Sequence, residues 1–370
     1  MKASQMQTDQ QPIKVGLVGC GAVSQLYYQP ALQALQHSNL LQVQAVFDPN
    51  TASAYRLLGS FPNAIAVENI NAIANQVDLA IVASPPQYHA SQTIHLLQAG
   101  CSVLCEKPMA NTISEAEAML DAAAQSSKQL AIGLFRRFFP ATQTIHKILS
   151  LGWLGEIESI TCTEGGIFNW PVQSPAYFQR SQASGGVLLD IGIHLLDLLI
   201  WWFGYPTSFI YADDAMGGID VNCQISLTFG QNIKADVRLS RDCILPNHYL
   251  IKGSNGWLRW EVNVADKLQM GFHDSAKVMD INLNEYNLIG NSPQLIRPAF
   301  NFEQSFTSQI VNVIAAMRGL EPLTVPAEVA IHSLKLIAAC YQHRQLMPMP
   351  WLSTEEQTQA QHLSLQGAIC

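Results

Sequence analysis

Long apolar runs and a secretion leader are both missing from this sequence of 370 residues. A membrane-spanning helix needs roughly 18 or more consecutive apolar residues. The most apolar stretch is interrupted by Asp190, His194 and Asp197, and the start, MKASQMQTDQQP, is polar. We therefore expect a cytoplasmic protein with no membrane partner.

Basic clusters and paired cysteines are missing as well. Charged residues make up 13% of the chain, the net charge is -8 and no run of Lys or Arg occurs, whereas nucleic-acid phosphates require clustered cations. None of the eight cysteines forms a CxxC pair, which favours reduced core thiols over disulfides or zinc. No cysteine or second histidine has ligand spacing to His194. We expect neither a nucleic-acid partner nor a metal.

The apolar content, 48% of the residues, is sufficient for the two domains that this length favours. Strands alternate with helices from residue 13 to about residue 134, which predicts a parallel, doubly wound sheet. After Pro206 strand follows strand, which predicts a second α/β domain with a mostly antiparallel sheet. We expect a disordered tail over residues 1–12, one domain over 13–134 and another over 135–370.

The first strand ends in a glycine turn, VGLVGCGAVS. Gly19 and Gly21 allow a tight turn and a close approach of backbone N–H groups to a pyrophosphate. Ser24 stands in place of the third glycine of the common pattern. Asp48 ends the next strand, where a carboxylate accepts the ribose hydroxyls of NAD and repels the 2′-phosphate of NADP. The pattern predicts NAD binding, with NADP disfavoured; a purely structural turn is the alternative.

The stretch GGVLLDIGIHLLDLLIWWFG, residues 185–204, is predicted to form a buried helix with one polar stripe. At 3.6 residues per turn, Asp190, His194 and Asp197 lie on one face. Buried charge requires a partner, so the stripe faces a ligand or a polar cavity, or its members bind one another and only hold helices in register. Lys107, at the carboxyl edge of the first sheet where ligands bind, favours the ligand.

Several motifs follow one another in order: GCGAVS, FDP, SPPQYH, CEKPMA, GLFRRFFPA, GGVLLDIGIHLLDL and IKGSNGWL. Over about residues 13–350 the sequence resembles the glucose-fructose oxidoreductase, inositol dehydrogenase and rhizopine catabolism family (Gfo/Idh/MocA). The resemblance implies an N-terminal Rossmann domain and a C-terminal α/β domain whose large open sheet often mediates oligomers. It also implies a sugar, cyclitol or related polyol as substrate.

The resemblance also assigns residues to the site. It implies that Lys107 and His194 face the nicotinamide with Asp190 beside them, and these three are our predicted catalytic residues. The predicted cofactor-binding set is Gly19, Gly21, Ala22, Val23, Asp48, Ser84, Pro85, His89, Glu106, Lys107 and Arg136. The predicted substrate-binding set is Lys107, Arg136, Tyr177, Asp190, His194 and Asp197.

This chain departs from the family pattern at a few positions. Ser24 replaces a glycine, Val187 stands where a third glycine is common, and His343 stands where serine is usual. None of these changes removes a predicted catalytic group. Ile191 lies where the inositol branch has a polar residue, which argues against inositol itself.

The chemistry of alcohol oxidation fits these residue types. His194 titrates near neutral pH, as a general base must, and Asp190 can fix its tautomer. Lys107 can stabilise the developing alkoxide. Either Lys107 or His194 takes the proton, and the sequence leaves that choice open.

Other residues near these motifs have two interpretations each. Arg136, after the strand QLAIGLF, either contacts cofactor or substrate or belongs to a solvated pair with Arg137. Trp170 and Tyr177 either stack on a sugar ring or cover a domain interface. Trp201 and Trp202 are predicted to be core residues.

Three functions remain open at this point. The first is an NAD-dependent oxidoreductase for a secondary alcohol of a sugar or polyol. The second is an enzyme that oxidises its sugar only transiently, for glycoside cleavage or epimerisation. The third is a sensor that binds NAD without turnover, against which Lys107 and His194 argue.

Two structural predictions accompany these functions. The resemblance predicts a cis peptide bond between Lys107 and Pro108. The strands of residues 207–262 alternate, and some of them, such as CQISLTF, are interpreted as apolar on both faces. We therefore predict a homodimer or homotetramer through the outer sheet face.

Overall fold

The computed structural model describes residues 11–171, 185–283 and 302–366. The chain forms two compact units. The first comprises Met1–Phe139 and Asn284–Ile331, and the second comprises Pro140–Leu283 and His332–Cys370. Of the predicted N-terminal tail, residues 1–10 lie outside the described part of the chain.

The first unit contains a parallel sheet of six strands in the order β3-β2-β1-β4-β5-β6. Its strands are β1 (Ile13–Val18), β2 (Leu41–Phe47), β3 (Ile65–Ala66), β4 (Leu79–Val82), β5 (Ser102–Cys105) and β6 (Leu130–Ile132). Every residue of β4, β5 and β6 is buried, as expected of strands covered on both faces. The predicted doubly wound sheet is confirmed.

Six described helices lie within this unit, and several of them begin at clear capping signals. They are α1 (Gln29–His37), α2 (Thr51–Leu58), α3 (Ile70–Ala74), α4 (His89–Gln98), α5 (Ile113–Ser126) and α8 (Phe302–Met317). The Asn50 side chain caps α2, and Thr112 with Glu115 forms a capping box at α5. A π-turn, Ser24–Tyr28, precedes α1, and Phe306 of α8 stacks on Tyr27 within this turn.

The second unit is built on a sheet of nine strands in the order β14-β13-β12-β11-β7-β10-β9-β8-β15. Its strands are β7 (Ile157–Gly165), β8 (Ser208–Asp213), β9 (Asn222–Thr228), β10 (Lys234–Ser240), β11 (His248–Gly253), β12 (Gly256–Glu261), β13 (Lys267–Phe272), β14 (Val278–Asn282) and β15 (Gln345–Leu346). Among the described strand pairs of this sheet, only β10·β7 and β15·β8 are parallel. The predicted large, mostly antiparallel sheet is confirmed.

The interpretation of CQISLTF as apolar on both faces is wrong. Cys223, Ile225 and Leu227 are buried, whereas Gln224 and Ser226 between them are exposed. The strict period of two sends every apolar side chain of the strand to one face. The opposite face of β9 is therefore polar.

The helices of the second unit are α6 (Pro140–Ser150), α7 (Ile193–Phe203) and α10 (Thr354–Gln366). A further helix, α9 (Ala327–Gln342), contributes residues to both units. A π-turn, Leu188–Gly192, leads into α7. Within the described ranges no helix has the length and apolar character that crossing a membrane requires.

Candidate active site

The glycine turn after β1 is built as a ligand cradle. Gly19 has a φ of +90°, and a Cβ there would lie 2.5 Å from the backbone nitrogen of Ser84, so only glycine fits. A Cβ at Gly21 would meet no atom within 4 Å. Ser24 is buried and its hydroxyl donates to the Gly19 carbonyl at 2.6 Å. The serine thus supports the turn from inside and leaves the space at Gly21 open for a pyrophosphate.

Asp48 lies beside this turn. Its Oδ2 accepts the N–H of Cys20 at 2.7 Å and its Oδ1 accepts the N–H of Asn50 at 2.8 Å. A carboxylate oxygen has two lone pairs, so each oxygen retains capacity for a ribose hydroxyl. Burial and the nearby Asp48 carboxylate raise the pKa of Cys20 to about 12. The thiol within the turn is therefore neutral and unreactive.

The segment after β4 carries Ser84, Pro85 and His89. The Ser84 hydroxyl donates to Gln92 at 2.6 Å, and Pro85 is exposed. His89 is only 1% exposed and both its ring nitrogens contact carbonyl oxygens, Nδ1 that of Pro108 and Nε2 that of Ser84, each at 2.7 Å. Burial lowers the pKa of His89, while the two carbonyl bonds act in the opposite direction. These contacts leave the imidazole no nitrogen for a cofactor.

The turn after β5 holds Lys107. The Lys107–Pro108 peptide bond is cis, which confirms the prediction. The Glu106 carboxylate points into the core, where it accepts the hydroxyl of Tyr28 at 2.7 Å and the N–H of Lys107 at 3.1 Å. Gly133 makes room for it, because a Cβ there would lie 2.9 Å from the carboxylate. Burial raises the pKa of Glu106, and the Tyr28 and Lys107 contacts oppose that rise.

Arg136 lies in a single 3-10 turn, Phe135–Phe138, that follows β6. Arg136 and Arg137 are 4% and 2% exposed. The interpretation of the two arginines as a solvated pair is therefore wrong. Both guanidinium groups are buried, and the assignment of Arg136 to cofactor or substrate stays a prediction.

In the second unit, Asp190 lies within the π-turn that leads into α7. A π-turn has i→i+5 hydrogen bonds and more residues per turn than an α-helix. This turn is wider than the 3.6 residues per turn used in the prediction, but residues four apart remain neighbours around a wider turn, so the placement of Asp190 and His194 on one face stays a prediction. Asp190 forms an ion pair with Arg241, a partner the sequence analysis missed.

His194 and Asp197 lie in α7 and are 4% and 2% exposed, while the Asp190 side chain is 23% exposed. Of the three groups, Asp190 is the most open to solvent. The predicted bond from Asp190 to His194 or Lys107 stays a prediction, as does the convergence of Lys107 and His194. Trp202 is buried, and Trp201 stacks on His146 at 4.5 Å between ring centroids.

The start of this helix is anchored by Asp220, which the sequence analysis also missed. Asp220 is 2% exposed; its Oδ1 accepts the N–H of Gly186 at 3.0 Å and its Oδ2 that of Leu188 at 2.9 Å. The Tyr341 hydroxyl donates to Oδ1 at 2.9 Å. A Cβ at Gly186 would overlap the Asp220 backbone, and a Cβ at Gly185 would lie 2.5 Å from the Tyr341 oxygen. Gly186 therefore makes room for Asp220, and Gly185 makes room for Tyr341.

A cavity of about 450 Å³ opens at this helix start. Its wall includes Gly186, Asp190, Asp220, Phe168 and Arg241. The Arg241 guanidinium lies over the Phe168 ring, 5.4 Å from its centroid. An acid, a guanidinium and an aromatic face around one cavity can bind a polyhydroxylated ring.

Three further predictions concern the aromatic residues Trp170 and Tyr177, a metal site and the cysteines. Tyr177 lies outside the described residues, and Trp170 is described and half-buried. Among the residues that the structure describes, no group of three or more His, Cys, Asp or Glu could hold a metal ion. The seven described cysteines are free thiols, and all but Cys243 are buried.

The parallel sheet, the open glycine turn and the acid after the second strand define the class of Rossmann-fold dinucleotide-binding proteins. Residues 13–134 match a family model described as an oxidoreductase family with an NAD-binding Rossmann fold. Residues 142–259 match the C-terminal domain of the same family. The two matches together cover well over half of the chain, and the protein belongs to the Gfo/Idh/MocA oxidoreductase family.

Curated relatives share about 30% of their residues with this chain. The rhizopine catabolism protein MocA of Rhizobium meliloti is 31% identical over 197 residues, 53% of this chain and 59% of its own. D-glucoside 3-dehydrogenase of Escherichia coli is 32% identical over 200 residues, 53% and 55% of the two chains. An NADP-dependent scyllo-inositol 2-dehydrogenase of Bacillus subtilis is 29% identical over 196 residues, 52% of each. The chain thus spans between 52% and 59% of the length of these relatives.

Solved structures share the fold. A 3-ketoreductase from Actinomadura kijaniata, solved with NADP and TDP-benzene, has a TM-score of 0.74 at 22% identity, covering 91% of this chain and 100% of its own. Levoglucosan dehydrogenase, solved with NADH and levoglucosan, has a TM-score of 0.77 at 19% identity, covering 90% and 98%. At such identities the likeness concerns the fold alone.

Proposed function

We propose that this protein is an NAD-dependent oxidoreductase that transfers a hydride between nicotinamide and a secondary alcohol of a sugar, cyclitol or related polyol. Residues 13–134 are the proposed NAD-binding domain and 135–370 the substrate-binding and oligomerisation domain. The observation that carries the proposal is Lys107, held on a cis turn at the carboxyl end of β5. Ligands of doubly wound sheets bind at that edge, and the relatives include sugar and inositol dehydrogenases.

The glycine turn fits NAD. The open space at Gly21 admits a pyrophosphate, and Asp48 retains lone pairs for the ribose. The same carboxylate opposes a 2′-phosphate, so NAD is favoured over NADP even though relatives use either. Ala22, Val23, Ser84, Pro85 and the segment Glu106–Lys107 complete the proposed cofactor-binding set. When bound, the nicotinamide supplies the hydride acceptor.

The protein's own groups supply the proton chemistry. Lys107 stabilises the alkoxide that develops on the substrate, and Lys107 or His194 accepts the hydroxyl proton. Asp190, with Asp197 and Arg136, binds or orients the substrate. The cavity beside Asp190 is the proposed sugar subsite. Asp190 accepts and Arg241 donates hydrogen bonds to neighbouring hydroxyls there, and Phe168 offers an apolar face to the ring.

We place the protein in the cytoplasm as a homodimer or homotetramer joined through the outer face of the nine-stranded sheet. Alternation makes much of this face polar, with Ser226, Lys234 and Asp236 exposed beside Ile210. Hydrogen bonds and ion pairs across the sheet would therefore contribute more to the interface than apolar burial. Light scattering at micromolar concentration tests this assembly, and a monomer would refute it.

The activity is tested by following NADH at 340 nm across a panel of neutral hexoses, glycosides and cyclitols. Turnover of at least one compound, abolished in Lys107→Ala, is the expected result. Product analysis separates net oxidation from transient oxidation, because cleavage or epimerisation accumulates no NADH. A ligand-dependent melting shift without any turnover would instead indicate a sensor. Paired dissociation constants for NADH and NADPH test the cofactor, and equal or tighter NADPH binding refutes the NAD preference.

A further inference from the structure

His89 connects the ends of two neighbouring strands. It is the first residue of α4, it is 1% exposed, and its ring lies between two carbonyl oxygens. The Ser84 carbonyl belongs to the segment after β4, and the Pro108 carbonyl belongs to the turn after β5. One imidazole therefore holds together the backbone at the carboxyl ends of the two strands, which pair directly in the sheet.

The geometry of this connection is demanding. A carbonyl oxygen only accepts hydrogen bonds, so each 2.7 Å contact needs an N–H on the facing ring nitrogen. A neutral imidazole supplies one such donor and a protonated imidazole supplies two. In either state the ring fills the space between the two carbonyls and donates to at least one of them. Glutamine can donate to one carbonyl without filling that space in the same way, and leucine can donate to neither. His89→Gln therefore removes the connection between the two carbonyls in part, and His89→Leu removes it completely.

Lys107 is held from its other side as well. Its N–H donates to the buried Glu106 carboxylate, which Tyr28 fixes in turn. Glu106 thus fixes the backbone before the cis bond, and His89 fixes the backbone after it. Three buried side chains, none of which is the predicted reacting group, restrict the segment that carries Lys107.

We propose that His89 is a positioning residue, whose ring contacts the carbonyls of Ser84 and Pro108, donates to at least one of them, and so fixes the Lys107 turn for proton chemistry. This inference rests on the function proposed above for Lys107. It replaces direct cofactor contact as the role of His89, because both ring nitrogens are already occupied.

The same helix offers a matched control. His95 also lies in α4 and is half-buried, but among the described residues its buried Nε2 makes no hydrogen bond. Substitutions of His95 disturb the same helix without touching the Lys107 turn. A difference between the two positions therefore reports on the two carbonyl bonds rather than on α4.

The first readout does not depend on turnover. Lysines of the full-length protein are dimethylated with 13C, and the Lys107 resonance is assigned by its loss in Lys107→Arg. We expect one sharp Lys107 resonance in the wild type and in His95→Leu. In His89→Leu we expect a broadened or doubled resonance, because the turn adopts more than one arrangement. Unchanged Lys107 resonances in His89→Leu would overturn the proposal, whether or not a substrate is found.

The second readout is kinetic, with the compound that the polyol panel identifies. We expect kcat to fall about tenfold in His89→Gln and about a hundredfold in His89→Leu, the scale of general acid–base catalysis. The NADH dissociation constant should change less than about threefold, because the glycine turn and Asp48 remain intact. A loss of melting temperature with unchanged kcat would show a purely structural role and overturn the proposal. Absence of turnover in the wild type would instead count against the proposed function.

Discussion

The two units hold their candidate catalytic groups by different means. In the first, hydrogen bonds fix the Lys107 turn. Glu106 accepts the Tyr28 hydroxyl and the Lys107 N–H, and His89 contacts the Pro108 carbonyl. In the second, the start of the Asp190 helix is fixed by a buried ionic network. Both regions contain buried titratable groups, Glu106 and His89 in the first unit and Asp213 and Asp220 in the second. In the second unit two buried carboxylates share one guanidinium, so we expect the larger pH dependence there.

The ionic network contains two acids and one cation. Arg344 Nε lies 2.7 Å from Asp213 Oδ2, and its Nη2 lies 3.9 Å from Asp220 Oδ1. The Tyr211 hydroxyl donates to Asp213 at 2.7 Å, as Tyr341 does to Asp220. Burial raises the pKa of Asp213 to about 6 and also raises that of Asp220, while Arg344 opposes both. One guanidinium does not compensate two buried carboxylates.

The glycines show a parallel contrast. Gly21 of the first unit faces open space, whereas Gly186 of the second is in contact with the Asp220 backbone. The space beside Gly21 is open to a ligand, whereas the space beside Gly186 is filled by the protein's own backbone. Substitution by alanine should therefore affect binding at one position and stability at the other.

The largest effects are expected at the proposed reacting groups. Lys107→Ala should lower kcat by about a hundredfold or more, and His194→Asn by about a hundredfold. Asp190→Asn should cost less, because it acts through orientation. Melting temperature and NADH affinity should stay near those of the wild type. Near-normal turnover with a lowered melting temperature would identify the three residues as a structural cluster only.

Next in size is Gly186→Ala. The added methyl group overlaps the Asp220 backbone, so the helix start must shift, at a cost of about 3 kcal/mol in the free energy of unfolding. Gly166→Ala is the control, because a Cβ there meets nothing within 4 Å, and it should change stability by less than about 0.5 kcal/mol. Equal stability of the two variants in urea unfolding would contradict the docking role of Gly186.

The pH dependence of stability should follow Asp213. Its folded pKa of about 6 lies above the ordinary aspartate value of 3.8, so the folded state binds more protons between these two values. Stability therefore falls as pH rises from about 3.8 through about 6, by roughly 3 kcal/mol in total, and levels off above about pH 7. Asp213→Asn should remove this part of the slope. The free energy of unfolding in urea is measured against pH for both proteins. If it changed with pH in the same way in the wild type and the variant, the assignment would be contradicted.

The smallest effect is expected at Gly21. Gly21→Ala meets no protein atom and should leave the melting temperature unchanged. The methyl group enters the space proposed for the pyrophosphate, so NADH should bind about tenfold more weakly, or about 1.4 kcal/mol. Unchanged NADH binding by fluorescence titration would show that the glycine turn does not hold the cofactor.

What the sequence predicted correctly depends mostly on local patterns. The strand–helix alternation, the glycine turn and the cis bond at Pro108 are encoded within short segments or carried by the family motif. The partners Arg241 and Asp220 are not encoded locally. Arg241 lies 51 residues from Asp190, and Asp220 lies 34 residues from Gly186, so each pair meets only in the folded protein. Spacing on an ideal helix also gave no indication of the π-turn at Asp190.

The face assignment of β9 failed for a different reason. CQISLTF contains enough apolar residues to suggest two buried faces, but the period of two had to be counted residue by residue. Counting it places Cys223, Ile225 and Leu227 on one face and changes the expected interface from apolar to polar.

The central prediction is that Lys107 and His194 act on one substrate oxygen in one step, and a double-mutant cycle tests it most directly. The wild type, Lys107→Ala, His194→Asn and the double variant are compared by kcat/KM on the compound found in the polyol panel. Residues that act as a unit are strongly non-additive. We predict that the double variant is no more than about threefold slower than Lys107→Ala alone. A double variant whose loss equals the product of the two single losses would contradict the account.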